Sequence, residues 1–181
     1  MPLTIDQQVA DAMIPATQED KDYFDEVISA SYFARDFLDV LKPYAYDVQP
    51  AVNSRGMRRL EGWKAVYEVT VTKGVTNFFG FMHGAAHAWL VDTCTSAAIV
   101  HNHTPQFWGQ PMLGGVSVNL DMQYFNAAQI GTRLRIIVTI ERINATLANL
   151  RCDISDWETG TRLSSGVHTK AWRGPKTTAS L

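Results

Sequence analysis

A stretch of 47 residues near the middle of the chain, residues 74–120, contains one formally charged side chain, Asp92. Within it, residues 84–101 are small or apolar on nearly every side and lack the alternation of a strand, which predicts a helix buried on most sides. An unpaired carboxylate there costs several kcal/mol, and the stretch contains no lysine or arginine to pair with it. Asp92 therefore either points to solvent or caps a neighbouring loop, or it is kept at a site whose chemistry needs it.

Polar and apolar residues alternate in several segments on both sides of this helix, which is typical of antiparallel strands with one face toward a core. These segments are 67–72, 116–124, 134–140 and 148–154, and a last strand is predicted over 163–172. Near the N-terminus, Thr17 and Asp20 resemble a capping box, and apolar residues recur at helical spacing up to Pro43, which is predicted to end that helix. The fold class that follows is α+β, with a helix embedded in an antiparallel sheet.

The overall composition narrows the function classes. The chain has 181 residues, enough for one domain with an extension, and 46% of them are apolar. A formal charge of −2 gives no reason to expect a nucleic acid or an anionic membrane as partner, and no stretch is apolar enough to span a membrane. Two cysteines cannot form a disulfide framework, so we expect a reducing compartment, by default the cytoplasm, with an organelle left open.

The start of the buried helix is a second candidate site. Gly84 opens the helix, where backbone N–H groups have no partner inside the helix and the positive end of the helix dipole lies. A ligand can approach a glycine closely, and such N–H groups can polarise a carbonyl and stabilise an oxyanion. The alternative is an ordinary glycine at a tight junction between a strand and a helix.

Four motifs in register then show a family resemblance: residues 77–84 (Asn-Phe-Phe-Gly-Phe-Met-His-Gly), 91–92 (Val-Asp), 115–118 (Gly-Val-Ser-Val) and 166–170 (Gly-Val-His-Thr-Lys). Together they resemble the hotdog-fold acyl-CoA thioesterases of the phenylacetate-pathway (PaaI-like) type. That family has His-Gly-Gly where this chain has a histidine, a glycine and Ala85. A methyl group at this position could narrow the acyl passage or shift the start of the helix.

The resemblance implies a hotdog fold, a curved antiparallel sheet wrapped around the 84–101 helix, and hydrolysis of an acyl thioester to an acid and a thiol. It implies that Asn77 and the Gly84 N–H polarise the thioester carbonyl while His83 supports their loop. Asp92 would activate a water or attack directly, and Ser117 would place that water or the aspartate. We expect no cofactor and no metal, because coenzyme A is part of the substrate.

The spacing of Gly84 and Asp92 predicts an oligomer. Eight residues separate them, roughly 12 Å along a helix axis, so a single carbonyl cannot contact both groups of one helix. The resemblance supplies the solution, a homodimer or homotetramer in which Asp92 acts from a second subunit. We expect an acidic helical extension over residues 1–42, the hotdog domain over 43–173 and a flexible tail over 174–181.

Coenzyme A phosphates favour basic side chains, and the candidates to bind them are Arg142, Arg151, Lys170 and Arg173. Each of these could instead lie on a solvated sheet face. The segment from Asn144 to Thr146 resembles a turn that flanks pantetheine in the family. The acyl group could also be bound to a carrier protein, although the acidic extension would repel an acidic carrier.

Other functions remain alternatives at this point. His83 and His87 have the spacing of a zinc-binding helix, but the glutamate that should follow the first histidine is replaced by Gly84. A protein of this fold could also bind acyl thioesters without hydrolysing them, or catalyse dehydration or cyclisation of a carrier-bound chain. A dehydratase would need a histidine paired with Asp92.

Overall fold

The computed structural model contains a seven-stranded curved sheet with a long helix packed across it. It describes residues 13–29, 33–34, 37, 39–108 and 113–172. The strands in these ranges are β1 (Ile14–Pro15), β2 (Lys42–Tyr46), β3 (Lys64–Thr70), β4 (Val116–Tyr124), β5 (Arg133–Ile143), β6 (Leu147–Asp156) and β7 (Arg162–Ala171); the helices are α1 (Gln18–Ser29), α2 (Gly84–His101) and a short 3₁₀ helix (Lys73–Val75). The strand order is β1-β2-β3-β5-β6-β7-β4, and every neighbouring pair is antiparallel.

Helix α2 spans the predicted residues and contacts strands β3 to β7. Its buried residues Leu90, Val91 and Cys94 belong to the main hydrophobic core. Gly166 in β7 permits this close approach, because a Cβ there would lie 2.8 Å from a methyl carbon of Val91. The predicted α+β class, with a buried helix in an antiparallel sheet, is confirmed. None of the helices in the described ranges is long and apolar enough to cross a membrane.

The N-terminal helix is shorter than predicted. The expected capping contact is present, with the Asp20 N–H donating to Thr17 Oγ1 at 3.2 Å, but α1 ends at Ser29 rather than at Pro43. Residues 33–34 form a turn in which Ala34 has a φ of 56°. Apolar periodicity does not reveal this break, because residues on both sides of the turn contribute to the same core.

The sequence pattern also does not predict β1 and β2, which extend the sheet beyond β3. Strand β2 pairs with β3 through a register shift between Pro43 and Ala45, and β1 pairs only with Ala45 and Tyr46. Pro43 has no N–H to donate, and it lies where β1 makes no ladder. A proline is therefore tolerated inside this short strand.

Strand β4 lies at an edge of the sheet and is more exposed than its alternation predicts. It pairs with β7 alone, and its apolar residues Val116, Val118 and Tyr124 are exposed. Alternation predicts a face that is covered, and the described part of this one chain does not cover it. The prediction of a half-buried strand is therefore wrong for β4 within a single chain.

Candidate active site

The start of α2 has a capping residue, His83, and a backbone N–H without a hydrogen-bond partner in the described part of the chain. His83 is the N-cap, and its Nδ1 accepts from the Ala85 N–H at 3.0 Å. The His83 N–H donates to the carbonyl of Val75 at 2.9 Å, which ties the cap to the 3₁₀ helix. The Gly84 N–H has no hydrogen-bond partner among the described residues. The Gly84 N–H is therefore a backbone donor available to a ligand at the start of α2.

Asn77 lies in the loop before this cap, and the backbone fixes the orientation of its amide. Its Oδ1 accepts from the N–H groups of Phe79 at 3.0 Å and of Phe81 at 3.2 Å. Because Oδ1 is the acceptor for two donors, the Nδ2 group points away from the loop. Nδ2 has no partner among the described residues, so it is a second donor at this end of α2.

Asp92 lies two turns further along α2, and three side chains surround one of its carboxylate oxygens. Ser117 Oγ donates to Oδ1 at 2.9 Å, His168 Nε2 lies 3.5 Å from it, and Lys170 Nζ lies 3.6 Å from it. No hydrogen bond to Oδ2 occurs within the described ranges. The Asp92 side chain is 48% exposed, whereas the side chains of His168 and Lys170 are 0% and 4% exposed. The aspartate is thus fixed by one oxygen and open at the other.

A hydrogen-bonded chain fixes the direction of each proton around Lys170. Its Nζ donates to Ser96 Oγ at 2.8 Å and to Ser117 Oγ at 3.3 Å. An ammonium group has only donors, so both hydroxyl oxygens accept from it. The serine protons therefore point elsewhere: that of Ser96 to the Asp92 main-chain carbonyl at 2.7 Å, and that of Ser117 to the carboxylate.

His168 faces Asp92 without donating to it. Thr95 Oγ1 lies 2.6 Å from the carbonyl of Val91, the usual partner of a threonine in a helix, and 2.6 Å from His168 Nδ1. With the threonine proton on the carbonyl, Nδ1 is the donor and Nε2 carries the lone pair of the neutral ring. Burial, and next the charge of Lys170, lower the pKa of His168 to about 4, against the opposing effect of Asp92. Nε2 accordingly makes no hydrogen bond.

A bulge in β4 brings Ser117 to this site. The register with β7 shifts between Ser117 and Asn119, so Ser117 pairs with Lys170 and Leu120 pairs with His168. Strict alternation would put Ser117 and Leu120 on opposite faces of the strand. The bulge places them on the same face, toward α2.

Three of the predicted ligands of coenzyme A, Arg142, Asn144 and Thr146, lie at the end of the β5–β6 hairpin. Arg142 is exposed on β5, and Arg151 pairs with Glu141 at 2.8 Å. Asn144 Oδ1 accepts from the Thr146 and Leu147 N–H groups, both at 2.9 Å, which builds the turn between β5 and β6. Arg173 lies outside the described residues.

Lys170 differs from the other predicted coenzyme A ligands because it is buried. It is 3% exposed and donates to Ser96 and Ser117, so it does not lie on a solvated sheet face. The predicted contact of Lys170 with a phosphate of coenzyme A does not fit this burial.

Sequence reasoning missed Thr95, Ser96 and the role of His168. A signal exists for the last one: His168 and Lys170 are two residues apart in a strand, so both face the same side of the sheet. The side they face is the one that packs against α2. No comparable signal identifies Thr95 and Ser96, because helices commonly carry hydroxyl residues that bond to their own backbone.

Two cavities flank α2. One, of about 490 Å³, opens at the start of the helix and is lined by Phe37, Val75, His83, Ala85 and Trp89 among others. The other, of about 290 Å³, lies at the aspartate and is lined by Asp92, Ser96, Gly114 and Trp89 among others. Ala85, at the position where the family has glycine, thus lines the cavity at the start of α2.

The histidines of the zinc alternative do not converge. His83 Nδ1 is occupied by the Ala85 N–H, and His87 is buried with its Nδ1 2.8 Å from Ser164 Oγ. Burial lowers the pKa of His87 to about 4. Within the described residues, no group of three or more His, Cys, Asp or Glu side chains could hold a metal ion.

Comparison with known proteins identifies the family. A family profile described as "Thioesterase superfamily" matches residues 79–162. Acyl-coenzyme A thioesterase 13 of Mus musculus is 33% identical over 107 residues, which are 59% of this chain and 71% of the mouse protein. The chain belongs to the thioesterase superfamily. It is accordingly a thioester hydrolase.

Solved structures confirm the hotdog fold of this thioesterase. Thioesterase superfamily member 2 of zebrafish has a TM-score of 0.63 and 26% identity, covering 83% of this chain and 94% of the zebrafish chain. A hypothetical thioesterase of Streptococcus pneumoniae, solved with coenzyme A, has a TM-score of 0.54 and 19% identity over 64% of this chain and 83% of its own. The second likeness concerns the fold alone.

Proposed function

We propose that this thioesterase hydrolyses acyl-coenzyme A thioesters, with Asp92 as the general base and with Asn77 and the Gly84 N–H as donors to the carbonyl oxygen. The observation that carries this proposal is the state of Asp92: Oδ1 accepts from Ser117, Oδ2 makes no hydrogen bond among the described residues, and the half-exposed side chain lines a cavity. The names of the acyl-coenzyme A thioesterases to which the chain is similar support the choice of substrate.

In the proposed reaction, Asp92 Oδ2 takes a proton from water as the water oxygen attacks the thioester carbonyl. The carbonyl becomes an oxyanion, which accepts from Asn77 Nδ2 and the Gly84 N–H. The C–S bond then breaks, and the leaving thiolate recovers the proton from Asp92. General-base assistance contributes about 10²–10⁴-fold, and one oxyanion donor about 10²–10³-fold.

The two halves of this site come from two copies of the chain in the proposal. Gly84 and Asp92 are roughly 12 Å apart on one helix, which is too far for one carbonyl. The exposed apolar residues of β4 lie at a sheet edge next to Ser117, so a second copy that covers them brings its own α2 close to this site. We therefore propose a homodimer, or a tetramer built from such dimers.

The coenzyme A part of the substrate is proposed to bind at the turn between β5 and β6. Arg142, Asn144 and Thr146 stay predicted contacts of its phosphates and pantetheine arm. The extension over residues 1–42 stays predicted to cover the pocket mouth or to dock a partner. Its described part is joined to the hotdog domain, because β1 pairs with β2 and Phe24, Ile28 and Phe37 lie in the main core. Phe37 also borders the cavity at the start of α2.

A panel of acyl-coenzyme A esters, with release of the free thiol detected by a disulfide reagent, tests the proposal. We expect turnover of at least one ester and a loss of about 10²-fold or more in the Asp92→Asn variant. Acyl groups on a carrier protein form the second panel. Binding of the esters without thiol release would contradict hydrolysis of these substrates.

The matched control is Asp25→Asn. Asp25 is 46% exposed and pairs with Lys42 at 2.9 Å, so it resembles Asp92 in exposure and in having a lysine partner. It lies on α1, outside the proposed site. We expect its turnover to equal that of the wild type. Equal turnover of Asp92→Asn and Asp25→Asn would remove Asp92 from the mechanism.

A further inference from the structure

Lys170 is a buried lysine whose surroundings in the fold are unusual. It lies on β7 with 3% of its surface exposed, and burial lowers the pKa of its ammonium group against the opposing effect of Asp92. Within the described ranges, Asp92 is the one carboxylate that pairs with it. Lysines are rarely fully buried unless they are paired. Asp92 is the partner here, and what the buried pair does at the proposed site is the question.

The hydrogen bonds around Lys170 converge on Asp92 from two sides. Through Ser96, the ammonium group is linked to the main-chain carbonyl of Asp92. Through Ser117, it is linked to carboxylate Oδ1, and it also lies 3.6 Å from that oxygen directly. An ammonium group can only donate, so Lys170 donates to both serines, and each serine hydroxyl donates in turn to Asp92.

His168 cannot replace Lys170 in this role. Its Nδ1–H is directed at Thr95, its Nε2 faces Asp92 without a proton, and the ring is neutral near pH 7 because its pKa is lowered. The titratable groups that face Asp92 within the described residues are His168 and Lys170 on β7, and β4 contributes only the Ser117 hydroxyl. Lys170 is therefore the cation that faces the carboxylate.

We infer that Lys170 is a positioning residue for thioester hydrolysis: its buried ammonium group holds Asp92 through Oδ1, directly and through Ser117, so that Oδ2 is the oxygen that takes the proton from water. This inference rests on the proposed role of Asp92 as general base. Lys170 acts through Asp92 and Ser117 and does not contact the substrate. Its partner Ser117 serves as the link that transmits this orientation.

The test compares kcat and KM of Lys170→Met, Lys170→Arg and the wild type. Lys170→Met removes the donor to Ser96 and Ser117 and the cation 3.6 Å from Asp92 Oδ1, and a hydrogen bond to or from a charged group is worth about 1.5–3 kcal/mol. We expect kcat in Lys170→Met to fall by about 10-fold or more with little change in KM. Lys170→Arg keeps a cation that donates hydrogen bonds, so it should recover part of this loss in kcat.

Lys42→Met is the matched control, because Lys42 forms the surface pair with Asp25. Its kcat and KM should equal those of the wild type. A wild-type kcat in Lys170→Met, or a loss of kcat that is the same in Lys170→Arg, would overturn the inference and leave Lys170 a structural residue. The proposed function fails separately, through an active Asp92→Asn variant.

A further variant keeps the test decisive. Ser96→Ala retains the charge of Lys170 but removes its 2.8 Å acceptor. If Lys170→Met does not fold, Ser96→Ala must lower kcat with little change in KM, and an unchanged kcat overturns the inference.

Discussion

The two halves of the candidate site on α2 are built in different ways. The donor half, at the start of the helix, consists of residues 77–85, and the side chains of Asn77 and His83 bond to residues two to four positions away. Long-range contacts hold its backbone, such as the Met82 N–H to the Ala128 carbonyl at 2.8 Å. The carboxylate half joins Asp92 and Ser96 on α2 to Ser117 on β4 and Lys170 on β7, with separations of 25 to 74 residues. Local contacts therefore orient the side chains of the first half, and the tertiary fold brings together those of the second.

This difference separates what each half contributes chemically. The local half uses backbone geometry: a cap, a fixed amide and an unpartnered N–H, none of which needs a charge. The distant half arranges a carboxylate and an ammonium group under partial burial, which a single segment cannot do. We therefore expect mutations in the first half to affect the helix end as well as activity, and mutations in the second to affect the base.

The largest expected effect tests whether the donor half and the carboxylate half of one site come from two different subunits. Asp92→Asn and Asn77→Ala should each lose about 10²-fold or more of turnover. When the two variants are co-expressed, random pairing gives about half mixed dimers, each with one intact site, so turnover should return to about a quarter of the wild-type value. The measurement is thiol release by the purified mixture.

Two controls accompany this experiment. Mixing the two purified variants without exchange of subunits should give no recovery, and co-expression of each variant with itself should stay inactive. A co-expressed mixture that is no more active than its parts would mean that the two halves do not share a site across subunits.

A smaller effect is expected at the link in the distant half. Ser117→Ala removes the 2.9 Å hydrogen bond to the Asp92 carboxylate, and a hydrogen bond to a charged group is worth about 1.5–3 kcal/mol. We expect kcat to fall by about 10- to 100-fold with little change in KM. Ser117→Thr retains the hydroxyl and serves as the control. A kcat for Ser117→Ala that equals the wild-type value would exclude this link.

The smallest effect is expected at the cap of the local half. His83→Ala removes the bond from the Ala85 N–H, and loss of an N-cap costs about 1 kcal/mol of stability. His83→Asn restores a good capping side chain and should recover that stability in chemical denaturation. A His83→Ala variant as stable as the wild type would show that this cap does not contribute to the stability of α2.

The local half of the site could be predicted from the sequence because its side-chain contacts join neighbouring residues. Residues 84–101 form the predicted helix, and Asn77, His83 and Gly84 lie together at its start. Which atoms are free there was not predictable: the amide orientation of Asn77 depends on two N–H groups that only the folded loop directs at it. The prediction of where α1 ends was wrong for a related reason, because the apolar periodicity continues through the turn at Ala34.

The sequence by itself determined that a buried helix with one carboxylate lies in an antiparallel sheet, because both the charge-free composition and the alternation follow from how each segment is buried. Only the tertiary structure decided which groups face that carboxylate. Lys170 and His168 reach Asp92 because β7 packs against α2, and Ser117 reaches it because a bulge reverses its face. Strand pairing and register are long-range properties, and one residue of register shift turns a side chain to the opposite face of the sheet.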